Sequence, residues 1–123
     1  TVSFEKLVTY LGKHQIPTAE ARVGDTYDLG GGGVLTIVGP QKTYDDLNNS
    51  SLVCRVDFGR HSFLLTGDME AKAEKDLLAS GVPLRADVLK VGHHGSNTSS
   101  SRDLDGAAVF VTDGDQLSVS TAK

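Results

Sequence analysis

Cysteine is almost missing from this sequence: Cys54 is the only one, so no internal disulfide can form. It lies between Val53 and Arg55, and a buried structural thiol is the usual role of such a residue. Long hydrophobic runs are also missing, and no stretch approaches the about 20 apolar residues that cross a membrane. No secretory signal is visible, and because the first residue is Thr1 and not Met, we expect the sequence to begin inside a longer protein.

Positive charge is in deficit, since 12 Lys and Arg stand against 16 Asp and Glu, for a formal net charge of −4. This balance argues against the basic surface of an ordinary nucleic-acid-binding protein. It does not exclude a nuclease, because bound cations reverse the local sign. With 123 residues, 38% of them hydrophobic and 23% charged, the chain has the composition of one globular domain with a real core.

Residues 62–96 contain a strand, a helix and a second strand in that order. Ser62 to Thr66 is a short apolar run, Met69 to Ser80 has helix composition, and Ala86 to Val91 is a second apolar run. This order predicts a βαβ unit, whose two strands are expected to be parallel.

The predicted helix has signals at both ends. Asp68 is placed to cap its start, and Gly81 is placed to stop it, with Pro83 just beyond. The side that we expect to be buried consists of Ala71, Ala73, Leu77 and Leu78.

Asp68 and the pair His93-His94 each follow the carboxyl end of one of these strands. Parallel strands end at the same edge of a sheet, which is where open α/β sheets place their sites. Carboxylate and imidazole groups are ligands for zinc, manganese or iron. Alone, Asp68 would be only a helix cap and His93-His94 only a polar turn, but their shared edge favours a metal site.

The rest of the chain predicts one more helix and a meander of short strands. Ser3 caps a helix that Gly12 ends, and its apolar residues, spaced as on one buried face, are Phe4, Leu7, Val8 and Leu11. Antiparallel strands are predicted over Thr26 to Leu29, Val34 to Val38 and Leu52 to Phe58, and a final hairpin over Ala107 to Thr112 and Gln116 to Ser120.

Several polar segments carry no functional prediction. Gly30 to Gly33 is followed by neither Gly-Lys-Ser/Thr nor a helix, so it indicates a hairpin tip and not a phosphate loop. The adjacent carboxylates of Asp45 and Asp46 lie in a polar loop and are expected to be exposed. His14 lies on a polar loop, and His61 lies at the far end of its strand from the predicted site. A serine-hydrolase function is not favoured, because the sequence has no G-x-S-x-G motif.

Three segments occur in a fixed order: N-N-S-S-L-V-C at 48–54, F-L-L-T-G-D-M-E at 63–70 and A-D-V-L-K-V-G-H-H-G-S at 86–96. Together they resemble the metallo-β-lactamase-fold domain at the C-terminus of the ComEC family, the DNA-uptake channel proteins of competent bacteria. The resemblance covers most of the chain. It implies an α/β (α+β) fold, the αββα sandwich with mixed sheets. Residues 1–123 would form one partial domain of this fold, its C-terminal part.

The resemblance also implies roles for individual residues. Asp68 would bridge two divalent metal ions, zinc or manganese, and the H-H-G-S loop would supply His94, or less favourably His93, to one of them. Ser96, Asn49 and Ser50 would shape loops or face the substrate. The family is thought to hydrolyse phosphodiesters and to degrade the DNA strand that is not imported, with metal ions that activate water and stabilise charge on the phosphate oxygens.

Partners and location follow from the same resemblance. The parent would be an integral protein of the bacterial cell membrane, and this domain would be soluble and extracytoplasmic. Its partners would be DNA, single-stranded or duplex, and the membrane channel portion of the parent.

The sequence departs from the family in what it lacks. The upstream motif His-x-His-x-Asp-His is absent, the usual fifth histidine is not evident, and the segment with Asn and His-Pro before the last hairpin is missing. We therefore expect only the C-terminal part of the site and an inactive fragment. Half of a two-sheet fold would leave an apolar face open, so we also expect a homodimer through that face, a retained partner segment or poor solubility.

Two other functions stay open. A related hydrolase that acts on phosphodiesters other than DNA is slightly favoured by the acidic net charge. A metal-free module for binding or assembly is favoured by the missing histidine motif.

Overall fold

The computed structural model describes residues 2–90, 92 and 108–121. Within them the helices are α1 (Val2–Lys13) and α2 (Ala71–Ala79). The strands are β1 (Thr26–Gly30), β2 (Gly33–Gly39), β3 (Val53–Phe58), β4 (His61–Leu65), β5 (Val88–Lys90), β6 (Ala108–Thr112) and β7 (Leu117–Thr121). They form a five-stranded sheet in the order β1-β2-β3-β4-β5 and a two-stranded sheet of β6 and β7.

The first four strands form the predicted antiparallel meander, in which each strand pairs with its neighbour in sequence. Gly31 and Gly32 make the turn between β1 and β2 with φ angles of 62° and 90°, a backbone conformation that glycine adopts without steric cost. This part of the glycine run is therefore a hairpin tip, as its sequence indicates.

The predicted βαβ unit is confirmed, and it consists of β4, α2 and β5. β5 pairs parallel to β4, with Phe63 opposite Val88 and Leu65 opposite Lys90. Both strands lie within one or two residues of their predicted bounds in the described part of the chain. Since the strands are parallel and in register, their carboxyl ends lie side by side at one edge of the sheet.

The core lies between α2 and one face of the five-stranded sheet. Its buried residues are Val38, Tyr44, Val53, Leu64, Met69, Ala73 and Leu77. Each large apolar side chain among them contributes about 1.5–3 kcal/mol by its burial. The helix that follows Asp68 is therefore fixed to the sheet by its packing.

Only part of the predicted buried side of α2 is buried. Ala73 and Leu77, which lie one turn apart, are 4% and 3% exposed. Ala71 is exposed, and Leu78 is 66% exposed, so the prediction was wrong for these two. Helix α2 has only 9 residues, and the side that faces the sheet consists of a single narrow stripe, Ala73 and Leu77.

The sheet face opposite α2 is also apolar. Because successive strand residues point to opposite faces, Leu64 faces α2 whereas Phe63 and Leu65 face away from it. The register places residues of four strands in one row on this second face: Leu35, Val56, Phe63 and Val88. Those side chains are half-buried, and Leu65 beside them is 40% exposed.

Helix α1 forms where its periodicity predicts it, but its apolar side is not buried. Phe4, Leu7 and Val8 are 64%, 53% and 51% exposed. The prediction of a buried face was wrong, since a helix with an apolar stripe still needs a second surface against which to pack. Ser3 and Gly12 were also predicted wrongly as its ends, because the helix includes both and runs to Lys13. In the part of the chain that the structure describes, no helix has the length and apolar character needed to span a bilayer.

β6 and β7 form the predicted final hairpin. The Asp113 carboxylate accepts the N–H of Gln116 at 2.8 Å and that of Asp115 at 2.9 Å. These two donors close the turn and hold the pKa of Asp113 below its ordinary value. The turn is joined to the β3–β4 turn, where the Arg60 N–H donates to the Gly114 carbonyl at 2.6 Å.

Candidate functional site

The ends of β4 and β5 are tied together at the edge where the sequence predicts a site. The Thr66 hydroxyl, just beyond β4, donates to the carbonyl of Lys90, the last residue of β5, at 2.8 Å. The chain therefore leaves both strands from neighbouring points. Asp68 lies on the segment that follows β4, and Gly92, which is buried, lies on the segment that follows β5.

A tight turn carries Asp68. The Met69 N–H donates to the Thr66 carbonyl at 3.1 Å, which closes a four-residue turn with Asp68 inside it. Gly67 has a φ of 56°, and a Cβ there would lie 2.9 Å from the Cβ of Ser51. Only glycine satisfies both the backbone conformation and this close approach.

Asp68 does not cap helix α2, so that prediction was wrong. The helix begins at Ala71, and its N-cap residue is Glu70, which makes no side-chain capping hydrogen bond. The capping acceptor comes from a distant loop instead: Asn49 Oδ1 accepts the N–H of Glu70 at 3.2 Å and that of Ala73 at 3.1 Å. The N-cap position of α2 is thus Glu70 and not Asp68.

Asn49 is held in turn by Asp46. The Asp46 carboxylate accepts the backbone N–H of Asn49 at 2.7 Å and its Nδ2 at 3.1 Å, and these donors hold the pKa of Asp46 below its ordinary value. The Ser50 hydroxyl donates to the Asp46 carbonyl at 2.7 Å. Asn49 is only 5% exposed, whereas Ser50 and Asp45 are exposed. In this arrangement Asn49 shapes the backbone around the start of α2.

A second contact network attaches this loop to α2. The Asp76 carboxylate accepts the Lys42 ammonium and the Tyr44 hydroxyl, both at 2.7 Å. Burial, together with the nearby Asp76, raises the pKa of Tyr44 to about 12. Lys72 places its ammonium 5.5 Å from the centre of the Tyr44 ring, a cation–π geometry. The loop that carries Asn49 and Ser51 is therefore fixed to the helix after Asp68.

The opposite ends of β4 and β5 are joined by Asp87. Its carboxylate accepts the Ser62 N–H at 2.8 Å and the Ser62 hydroxyl at 3.1 Å. These hydrogen bonds hold the pKa of Asp87 below its ordinary value. His61 lies at this end, and its Nε2 is buried with no hydrogen-bond partner among the described residues. It begins β4, whereas the Asp68 turn follows the last residue of that strand.

Of the predicted metal ligands, Asp68 lies in the described part of the chain, where it is half-buried. His93, His94 and Ser96 lie outside the described residues. Within residues 2–90, 92 and 108–121, no group of three or more His, Cys, Asp or Glu side chains is arranged to hold a metal ion. A carboxylate oxygen is a ligand that Zn²⁺ and Mn²⁺ accept, but Asp68 needs partners from elsewhere to complete a site.

Neither the helix-capping role of Asn49 nor the contacts of Ser51 and Tyr44 were predicted from the sequence. The sequence pattern of residues 48–51, two asparagines and two serines, indicated only a polar loop. Tyr44 is buried beside this loop, and an isolated tyrosine gives no periodic signal.

Residues 3–113 match the metallo-β-lactamase superfamily, so the chain belongs to that superfamily. The mixed five-stranded sheet with its helices is the α+β arrangement expected of it. The predicted fold class is therefore confirmed.

Three curated relatives indicate which individual proteins the chain is similar to. The chain is 51% identical over 65 residues to Uncharacterized protein YcaI of Escherichia coli (strain K12), a match that covers 52% of this chain and 9% of the relative. It is 46% identical over 57 residues to ComE operon protein 3 of Bacillus subtilis (strain 168), covering 46% of this chain and 7% of the relative. It is 48% identical over 62 residues to Competence protein ComA of Neisseria gonorrhoeae, covering 50% of this chain and 9% of the relative.

The last two relatives are competence proteins of the ComEC family, so the resemblance drawn from the sequence motifs is confirmed. The chain spans less than a tenth of the length of the curated relatives that it matches. No solved structure matches the chain significantly.

Proposed function

We propose that this chain is the C-terminal part of a metal-dependent phosphodiesterase domain that hydrolyses DNA during DNA uptake. The observation that carries the proposal is the placement of Asp68. It lies on a closed turn at the carboxyl end of β4, beside the end of β5. Membership of the metallo-β-lactamase superfamily and similarity to competence proteins support the same function.

In this proposal Asp68 would hold two divalent cations, zinc or manganese, and His94 would bind one of them, with His93 as the alternative. Ser96 and Ser50 face the substrate or shape their loops, and Asn49 shapes the Asp68 turn. When bound, the cations would lower the pKa of a water molecule and stabilise charge on phosphate oxygens. The other ligands would come from outside these 123 residues, since the sequence contains no His-x-His-x-Asp-His motif.

The wider setting belongs to the same proposal. Residues 1–123 form part of one domain, attached to a channel in the bacterial cell membrane and placed outside the cytoplasm. The substrate is DNA, which a cation-loaded site accepts despite the net charge of −4. The apolar sheet face opposite α2 would be covered by a second copy or by another part of the parent protein.

The test is DNA cleavage by the full-length protein with Mn²⁺ or Zn²⁺. We expect Asp68→Ala to lower the cleavage rate at least about 100-fold, because removal of a bridging ligand abolishes the arrangement of both ions. Asp45→Ala is the matched control, since Asp45 is an exposed carboxylate on the neighbouring loop, and its rate should stay within about twofold. Normal turnover by Asp68→Ala, with an unchanged circular dichroism spectrum, would rule the proposal out.

A second function is favoured by one specific observation. Because the His-x-His-x-Asp-His motif is absent, the chain could belong to a metal-free module that keeps the fold for binding or assembly. Full-length protein that binds DNA or a second copy, yet cleaves no phosphodiester with any divalent cation, would favour this function. Cleavage of small phosphodiesters with DNA left intact would favour a hydrolase of the same fold with another substrate.

A further inference from the structure

Three consecutive backbone amides after β4 are each held by a hydrogen bond. The Asp68 N–H donates to Ser51 Oγ at 3.1 Å. The Met69 N–H donates to the Thr66 carbonyl at 3.1 Å, and the Glu70 N–H donates to Asn49 Oδ1 at 3.2 Å. The backbone is thus fixed at Asp68 itself and at the two residues that follow it.

Ser51 also forms the surface on which this turn rests. A Cβ built on Gly67 would lie 2.9 Å from Ser51 Cβ and 3.3 Å from Ser51 Oγ, so the two residues are in close contact. Ser51 is half-buried, and its hydroxyl faces the Asp68 N–H. The same loop is anchored to α2 through the hydrogen bonds of Lys42 and Tyr44 to Asp76. Ser51 therefore presents its hydroxyl from a fixed support.

We propose that Ser51 is a positioning residue for Asp68. Its hydroxyl fixes the Asp68 backbone, so that the carboxylate keeps the place that it needs to bind a divalent cation. This inference rests on the proposed function of Asp68. The physical reason is that a ligand side chain is only as well placed as its own backbone, and the loss of a group that orients a ligand costs about 10–100-fold in metal affinity.

The variant Ser51→Ala tests this directly, because it keeps the Cβ that contacts Gly67 and removes only the acceptor. Amide hydrogen exchange, followed by mass spectrometry on the peptide that spans 66–70 in the full-length protein without metal, should be about tenfold faster. Mn²⁺ affinity, measured by calorimetry on the same protein, should fall about tenfold.

Two controls separate positioning from a general loss of structure. Ser80→Ala makes the same chemical change at the other end of α2, where the Ser80 hydroxyl donates to the Leu77 carbonyl at 2.6 Å. It should change neither quantity. In the Asp68→Asn background, Ser51→Ala should cause no further loss of Mn²⁺ affinity, because its effect passes through Asp68.

Each outcome has a distinct meaning. The inference is supported if Ser51→Ala exchanges faster and binds Mn²⁺ more weakly, and if it causes no further loss of affinity in the Asp68→Asn background. Unchanged exchange or unchanged affinity in Ser51→Ala, while Asp68→Asn weakens binding, overturns the inference and leaves the proposed function standing. Mn²⁺ affinity that Asp68→Asn does not alter overturns the proposed function, and the positioning role with it.

Discussion

Replacing Asn49 by alanine should destabilise the chain more than the same replacement at its neighbour Asn48. Asn49 is 5% exposed, and its Oδ1 accepts the N–H of Glu70 at 3.2 Å and that of Ala73 at 3.1 Å. Alanine leaves both amides at the start of α2 without this acceptor. It also removes the hydrogen bond from Nδ2 to the Asp46 carboxylate.

The magnitude follows from two contributions. Loss of a helix-capping acceptor costs about 1 kcal/mol, and an unsatisfied buried donor costs about 1–3 kcal/mol. Ala73 is 4% exposed, so water cannot replace the lost acceptor there, whereas Glu70 is partly exposed and water can. We expect a loss of about 2–3 kcal/mol in the free energy of unfolding, which lowers the Tm of a chain of this size by about 10 °C.

Urea unfolding followed by far-ultraviolet circular dichroism measures this loss. Asn48→Ala is the matched control, because it removes the hydrogen bond from the Asn48 side chain to the Glu70 carboxylate at 2.9 Å and should cost less than about 1 kcal/mol. Asn49→Asp should not restore the stability, because its second carboxylate oxygen would replace the Nδ2 that now donates to the Asp46 carboxylate at 3.1 Å, and the two like charges would repel each other. Equal losses for the two alanine variants, or no loss for Asn49→Ala, would refute the capping role.

Three further predictions concern the same framework. Gly67→Ala should lower the free energy of unfolding by about 1–3 kcal/mol, because the φ of Gly67 is 56° and the new Cβ would lie 2.9 Å from the Cβ of Ser51. An unchanged urea midpoint would contradict this prediction. The pKa of Tyr44 is raised to about 12 from 10.0, so the contribution of its neutral hydroxyl to the free energy of unfolding is complete below pH 10 and is lost as the pH rises through 12. An alkaline titration followed by tyrosine absorbance should therefore show a late-titrating group that is missing from Tyr44→Phe. The pKa of Asp87 is lowered by the hydrogen bonds from Ser62, so the contribution of its carboxylate to the free energy of unfolding is present above the ordinary pKa of 3.8 and is lost as the pH falls below it. The urea midpoint of Asp87→Asn should therefore depend less on pH over that acid range than the midpoint of the wild-type protein. An identical pH dependence would refute this role of Asp87.

Features with a short-range physical cause could be predicted from the sequence. The βαβ unit follows from two apolar runs on either side of a helical segment, and both hairpins follow from turn residues between alternating strands. The placement of Asp68 at a strand end was predictable for the same reason, since it depends only on where β4 stops.

Features that depend on distant contacts could not be predicted. The helix-capping hydrogen bonds of Asn49 join residues 21 and 24 positions apart, so the local pattern favoured Asp68 as the cap. The apolar stripe of α1 predicted the helix correctly but could not show whether a partner surface is present. Phe4 at 64% exposure shows that this surface is not supplied by the described part of the chain.

Two apolar surfaces have a common consequence. The stripe on α1 is exposed and has no covering layer among residues 2–90, 92 and 108–121, whereas the sheet face opposite α2 is half-buried apart from Leu65. Apolar patches of this kind mark interaction surfaces. The proposed two-sheet parent domain would cover the sheet face opposite α2. We expect the isolated chain to be poorly soluble and the full-length protein to be more soluble, because apolar patches promote association.

We propose that the turn after β4 and the segment after β5 form one metal-binding edge. Calorimetric titration of the full-length protein with Mn²⁺ and Zn²⁺, beside the double variant His93→Ala/His94→Ala, tests this most directly. We expect binding that the double variant loses, as Asp68→Asn does, because both strand ends would contribute ligands to one site. Equal affinity in the double variant and the wild-type protein would contradict it and would place the metal site, if there is one, away from this edge.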